Sequence, residues 1–262
     1  MATGIVLAGR RNEGRLRAAA PGCEWEALVP LAGQAMGRYV VTALAGAVDR
    51  VIVAGPEGLA AGDALTVAPG GNLVATLRSA LGALPADEQE VILAAGDAPL
   101  LTAAAVTELM AACRARSLAF GYPIVARPAC EAAYPGVRRT YVRLREGSFT
   151  GGNCLFVRRV AVPALLALAE QVYAARKRPL RLAGILGWGL VLGLLTGTAR
   201  LAAAERAGSR LLGQRAGAVR CADPGVGVDV DKPEDLELCR RVLAASRSHA
   251  GPAVPPEPPE GA

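Results

Sequence analysis

Residues 91–102 read VILAAGDAPLLT, and the rest of the chain is organised around them. Residues 91–95 are continuously apolar, the pattern of a strand buried on both faces, as in a parallel sheet. Gly96 ends the run and Asp97 is the first charged residue after it. Pro99 blocks further strand pairing, and Thr102 is placed to cap a helix that starts at Ala103. One carboxylate therefore sits at the carboxyl end of a central strand, where open α/β sheets place their ligands. A carboxylate there can hold a hard cation that in turn holds phosphates. A turn or helix-capping aspartate would have the same sequence surroundings.

Upstream, residues 4–8 (GIVLA) predict a first strand. Residues 9–26 form a long loop with Gly9, Gly14 and Gly22 and four arginines, Arg10, Arg11, Arg15 and Arg17. Glycines let backbone N–H groups approach a phosphate, and arginines add charge-assisted donors; a solvated basic loop looks the same. A helix is expected over 36–47, a strand over 50–54 and a short strand over 65–67. Gly70-Gly71-Asn72 then opens a helix over 73–84, whose free N–H groups suit an anion or a base edge, or an ordinary cap. With a helix over 103–116, strands and helices alternate, which argues for a parallel sheet covered on both faces.

Downstream the pattern changes. Residues 120–126 and 140–144 are expected to be extended, and Arg139, Arg143 and Arg145 alternate around Tyr141, as if sharing one strand face. Gly151-Gly152-Asn153 precedes an apolar strand over 154–157. Basic side chains beside such a turn suit a phosphorylated or acidic acceptor; a solvated strand face is the alternative. A helix follows over 160–176. Residues 180–195 (LRLAGILGWGLVLGLL) are mostly apolar. A membrane span needs about 20 apolar residues, and Arg181 and four glycines break this run. It reads as a buried or interface helix pair, a lid or homodimer surface, ahead of a shallow membrane contact and without stable insertion. A helix over 201–212 and a strand over 215–220 complete this part. In residues 225–238 (GVGVDVDKPEDLEL) a strand is expected to end in Asp229 and Asp231, with Pro233, Glu234 and Asp235 opening a helix. Two carboxylates on one face repel unless a cation lies between them. Asp231 is expected to cap the helix, leaving Asp229 to share a divalent ion with Asp97. One domain is expected over 1–245, with a helical insert at about 178–213 and a disordered Pro-rich tail over 246–262.

The 262 residues are 52% hydrophobic with a net charge of +6, which suits a substantial core and anionic partners. No basic run is interleaved with aromatics, so nucleic acid is not an expected partner. The single histidine, His249, excludes a His-based triad or a His-rich metal site. Six cysteines form no CxxC pair, and a strand so near the start leaves no room for a signal peptide, so reduced thiols and a cytoplasmic location are expected.

Together these stretches resemble the MobA-like nucleotidyltransferase family. The resemblance rests on Ile5-Val6-Leu7-Ala8-Gly9, Arg15-Leu16, residues 28–33, Gly96-Asp97-Ala98-Pro99, and Asp229-Val230-Asp231-Lys232-Pro233-Glu234-Asp235-Leu236. It implies an α/β fold, a three-layer α/β/α sandwich with a Rossmann-like, mainly parallel sheet of the nucleotide-diphospho-sugar transferase type. It implies Mg²⁺ on Asp97 and Asp229, and a nucleoside triphosphate along Leu7, Ala8, Gly9, Arg10, Arg11 and Gly96, with its base toward Gly70, Gly71 and Asn72. Arg15 would join the two aspartates as a catalytic residue, and Arg139, Arg143, Gly152 and Asn153 would bind the acceptor. The acceptor would attack the α-phosphorus and release pyrophosphate. Two departures stand out. Glu26 occupies the place of a family lysine, seven residues before Gly33, and Arg10 follows Gly9 where a second glycine is common. Either Arg11, Arg15 or Arg17 replaces that lysine, or the substrate or the turnover is altered. The alternatives are a nucleotide-binding regulatory protein without turnover and a nucleotide-sugar glycosyltransferase of the same fold.

Overall fold

A computed structural model describes residues 1–137 and 139–249. Its centre is a nine-stranded mixed sheet. Strand β1 (Ala2–Leu7) lies between β2 (Arg50–Ala54) and β4 (Glu90–Ala95), and pairs in parallel with both. The short β3 (Leu65–Val67) extends this edge in parallel beyond β2. Leu7 is level with Ala54 on one side and with Ala95 on the other, so the loops leaving these strands emerge together at one sheet end.

Both faces of these strands are apolar because both are covered. In β4, Ile92 and Ala94 face helices α1 (Met36–Ala45) and α3 (Ala103–Ala115), alongside Val40, Leu44, Val106 and Leu109. Val91 and Leu93 alternate to the other face, toward α2 (Leu73–Gly82) and α5 (Val162–Ala175), alongside Leu77, Leu81 and Leu165. The period of two along each strand thus serves two cores, and three layers result. Thr102 caps α3 as expected, accepting from the Ala105 N–H at 3.2 Å.

On the other side of β4 the sheet turns antiparallel. Strand β5 (Phe120–Ala126) is flanked by β7 (Gly147–Gly151) and β8 (Cys154–Arg158), both antiparallel to it, and β8 also pairs with β4. Strand β6 (Val142–Leu144) is the outer partner of β7, and β9 (Ala216–Arg220) runs parallel to β5. Helix α3 lies so near this sheet that a Cβ on Gly121 would be 2.1 Å from Cys113 Sγ. Neither α4 (Arg127–Ala133) nor the separate strand β7 was expected.

Residues 180–195 form a helix pair, α6 (Pro179–Leu186) and α7 (Trp188–Thr196), bent by 107° at Gly187. Among the described residues no single helix is long and apolar enough to cross a membrane. Helix α8 (Leu201–Leu212) follows and leads into β9. Helix α9 (Pro233–His249) packs Leu236 and Cys239 on Leu16 and Met36 of the amino-terminal part. It continues past residue 245, where the tail was expected to begin; the rest of that tail, 250–262, lies outside the described residues.

Candidate active site

The site is built where the late segment meets the turn after β4. No strand precedes Asp229. Instead Asp223 opens a 3-10 turn, Pro224–Gly227, by accepting from the Gly225 N–H at 2.8 Å, and residues 228–232 are irregular. The alternating GVGV run resembles a strand in sequence, but Pro224 and the Asp223 cap impose a turn. Three contacts then fix this segment on residues 97–102. The Thr102 hydroxyl donates to Asp223 at 2.8 Å. Gly225 lies against the Leu100 carbonyl so closely that a Cβ there would be 2.4 Å from the oxygen. The Val230 N–H donates to the Asp97 carbonyl at 2.9 Å. Asp97 and Asp229 are therefore brought to one rim, as the sequence predicts.

Burial, and next the charge of Asp229, push the Asp97 carboxyl up to about 6. Its Oδ1 is buried and has no hydrogen-bond partner among the described residues. Burial and then the charge of Asp231 raise Asp229 in the same direction. Arg139 takes up part of this charge: its guanidinium is 3.3 Å from Asp229 and donates to the Gly227 carbonyl. Its side chain is 8% exposed. Arg139 thus props the acidic segment, whereas the sequence placed it on the acceptor.

Arg10 occupies a position that sequence reasoning did not foresee. Its guanidinium lies 2.7 Å from Asp231, 3.0 Å from Glu26 and 3.7 Å from Asp97. Glu26, the residue in place of the family lysine, is 3% exposed, and burial pushes it up to about 7 despite Arg10. Asp231 is thereby engaged with Arg10, and its N–H is 3.3 Å from Asp235; it does not serve as the helix cap expected of it. The Arg10–Asp231 contact joins residues 221 positions apart, and no local signal in the sequence announces it.

Asp97 and Glu26 line a cavity of about 970 Å³, whereas Asp229, whose charge acts on Asp97, is not part of its wall. Of the residues assigned from sequence, Leu7, Gly9, Arg10, Arg11, Gly71, Asn72, Asp97, Gly152 and Asn153 line it. Sequence reasoning missed Glu13, Thr76, Tyr122 and Tyr173, and apolar Leu93 and Leu155, which complete the wall. Asn72 is an N-cap, accepting from the Ala75 N–H at 3.0 Å, and still faces the cavity.

The remaining assignments lie off the wall. Ala8 is buried beneath it, with its N–H on the Ala54 carbonyl at 2.8 Å. Gly70 is pressed on the first turn of α2, where a Cβ would be 2.4 Å from that of Ala75. Gly96 bonds the Leu7 carbonyl at 3.0 Å. Arg15 is exposed on a 3-10 turn, Arg15–Ala18, and Arg143 is exposed on β6, with its stem under Gly197. The two arginines do not share a strand face, because Arg139 precedes β6 and turns inward. Gly152 and Asn153 are also a joint of the fold: the Asn153 N–H donates to the Val226 carbonyl, and its carbonyl accepts from Ala95, each at 2.9 Å.

Among the described residues no cluster of three or more His, Cys, Asp or Glu side chains is arranged to hold a metal alone. The fitting ligand set is smaller. A hard cation such as Mg²⁺ is commonly held by one or two carboxylates, with phosphate oxygens and water completing the shell. The orphaned Oδ1 of Asp97 beside Asp229 suits that arrangement.

Comparison with known proteins identifies the family. The MobA-like NTP transferase domain matches residues 4–182, which includes Asp97 and stops short of Asp229. No curated protein matches significantly. Among solved structures, a hypothetical transferase from Thermus thermophilus is 42% identical, with 90% of this chain and 99% of that one covered at a TM-score of 0.81. The 2-C-methyl-D-erythritol 4-phosphate cytidylyltransferase of the same species is 15% identical, with 92% and 98% covered at a TM-score of 0.54. A CMP:2-keto-3-deoxy-manno-octonic acid synthetase complexed with CTP is 17% identical, with 94% and 99% covered at a TM-score of 0.58. The last two share the fold, a mostly parallel sheet with helices of the nucleotide-sugar transferase type. By its domain match and its 42% identical relative, the chain belongs to the MobA-like NTP transferase family.

Proposed function

We propose that the protein transfers a nucleoside monophosphate from a triphosphate to a phosphorylated or acidic small molecule, with Mg²⁺ bound by Asp97 and Asp229. The observation that carries this reading is the buried, partnerless Oδ1 of Asp97, set beside Asp229 on the rim of a cavity of about 970 Å³. A bound Mg²⁺ would offset the phosphate charge and align the triphosphate. Gly9 lets the backbone approach the phosphates, since even a Cβ there would be 2.7 Å from Pro69. Arg10 and Arg11 line the same wall and are the chain's cationic donors for the departing pyrophosphate. Gly71 and Asn72, at the amino end of α2, face the base end. Tyr122, Gly152, Asn153 and Tyr173 also line the cavity and are assigned to the acceptor.

In the reaction an acceptor oxygen forms a bond to the α-phosphorus as the bond to the bridging oxygen of pyrophosphate breaks. No protein nucleophile is required, so rate comes from alignment and charge stabilisation. Arg10 replaces the family lysine, and Glu26 holds it over the cavity until a triphosphate engages it. The test is a thermal-shift panel of nucleoside triphosphates with and without Mg²⁺, followed by pyrophosphate release with phosphorylated acceptors. Stabilisation by triphosphate that needs Mg²⁺, together with pyrophosphate release, is the expected result. Stabilisation equal in chelator would remove the metal-bridged site. Metal-dependent binding with no release for any acceptor would favour a regulatory binder, the reading to which the Arg10–Glu26 pairing lends support.

A further inference from the structure

The pair α6–α7 presents an apolar surface to the outside. Leu180, Trp188, Leu192 and Leu195 are 73, 53, 58 and 79% exposed, and α7 has no buried residue. The pair is anchored from its inner side, where Leu190 and Leu194 pack on Ile124, Leu144 and Phe149. Scattered exposed leucines are ordinary; here three of them and a tryptophan occupy sixteen consecutive positions.

Within this segment of the chain the charge has one sign, although Glu146, from the loop after β6, reaches the start of α8 beside Arg200. Between Glu170 and Glu205 there is no acidic residue, while Arg176, Lys177, Arg178, Arg181 and Arg200 all occur there and all are exposed. Among the described residues, Lys177, Arg178 and Arg181 are in no ion pair. A second copy of the chain would bring the same cations and no acids, so a symmetric pairing through this face would oppose like charges. An anionic lipid surface supplies both complements at once: an acyl boundary for leucine and tryptophan, and negative headgroups for the basic rim.

We propose that α6–α7 docks this protein on the surface of an anionic lipid bilayer, lying in the interface without crossing it. The 107° bend fits a hairpin lying flat. Arg176 stacks on Tyr173 at 3.8 Å, and Tyr173 lines the cavity, so the basic end of the face begins at the cavity rim. The inference does not depend on turnover and is tested without it.

The experiment is co-sedimentation of the full chain with vesicles of phosphatidylcholine alone and of phosphatidylcholine mixed with phosphatidylglycerol. Pelleting is expected only with the mixed vesicles and is expected to fall with added salt. The triple variant Lys177→Gln, Arg178→Gln, Arg181→Gln should lose about a hundredfold in vesicle affinity. The triple variant Trp188→Ser, Leu192→Ser, Leu195→Ser should bind no vesicle while keeping a cooperative melting transition. If it loses that transition, the charge variant decides alone, since its exposed side chains contribute nothing to a core. Absence of pelleting with the mixed vesicles, or pelleting unchanged by the charge variant, overturns the proposal. So does self-association that the serine variant abolishes in a protein that ignores vesicles, which would assign the face to a second copy.

Discussion

Around Asp97 the carboxylates of Glu26, Asp97, Asp229 and Asp231 share the guanidiniums of Arg10 and Arg139, whereas in α6 and α7 the chain carries cations with no acid between Glu170 and Glu205. The rim is concave, rigidly tied to the central sheet and over-supplied with negative charge. It therefore suits a small anion that arrives with its own cation. The helical face is exposed, apolar and rich in cations, and is held by a few leucines on an outer part of the sheet. It suits an extended surface. The same chain thus separates local chemistry from attachment, and the two regions should fail independently when altered.

Asp97→Asn is the largest expected break. It should weaken Mg²⁺-dependent triphosphate binding by more than about a hundredfold, because one ligand of a shared cation is lost. A calorimetric titration that finds affinity unchanged would remove Asp97 from the site. The same variant should stabilise the cation-free protein. Asp97 at about 6 stands above its ordinary 3.8, so the folded state holds the proton more tightly. The stabilisation this gives is fully present below about 3.8 and lost as pH rises through 6. At pH 8 the wild type therefore carries a cost on the order of 3 kcal/mol that asparagine would relieve. Denaturant unfolding at pH 8 should show the gain, and unfolding near pH 4 should show almost none.

Gly225→Ala comes next. A Cβ 2.4 Å from the Leu100 carbonyl forces the late segment away from the turn that carries Asp97. The expected cost is about 2 kcal/mol in stability, with roughly a tenfold loss of metal-dependent affinity as one carboxylate is misplaced. Loss of stability without loss of affinity would show that Asp229 is not a ligand. A smaller effect is expected from pH alone. Mg²⁺-dependent binding should fall as pH drops through about 6, where Asp97 takes up a proton. An affinity flat from pH 5 to pH 8 would contradict the assignment. Glu26→Gln should change triphosphate KM severalfold, because Arg10 loses its buried partner and keeps Asp97 and Asp231. The smallest effect sharpens the comparison from the other side. Leu195→Ser, at a position 79% exposed, should leave triphosphate affinity unchanged and stability within about 0.5 kcal/mol.

Much of the frame was legible because its signals are local. A double-sided apolar run identifies β4, a Thr-capped periodic stretch identifies α3, and Asp97 follows directly from where that strand stops. The strand β7 was missed because GSFTG is short and half glycine or small, and α4 because RPACEAA offers no apolar periodicity. The expected strand before Asp229 failed for a different reason. Asp223 and Gly225 fix the segment as a turn against Thr102 and Leu100, and Val226 and Val228 are buried from there, a preference decided by tertiary contact. The roles of Arg10 and Arg139 were out of reach, since each depends on acids distant in the chain.

The bond from the Val230 amide to the Asp97 carbonyl, with Asp223 latched to Thr102, has a temporal meaning. During synthesis the sheet strands up to β8 leave the ribosome well before the segment that completes the acidic pair. A nascent chain can assemble its framework first, completing the proposed cation site only as residues 223–231 arrive.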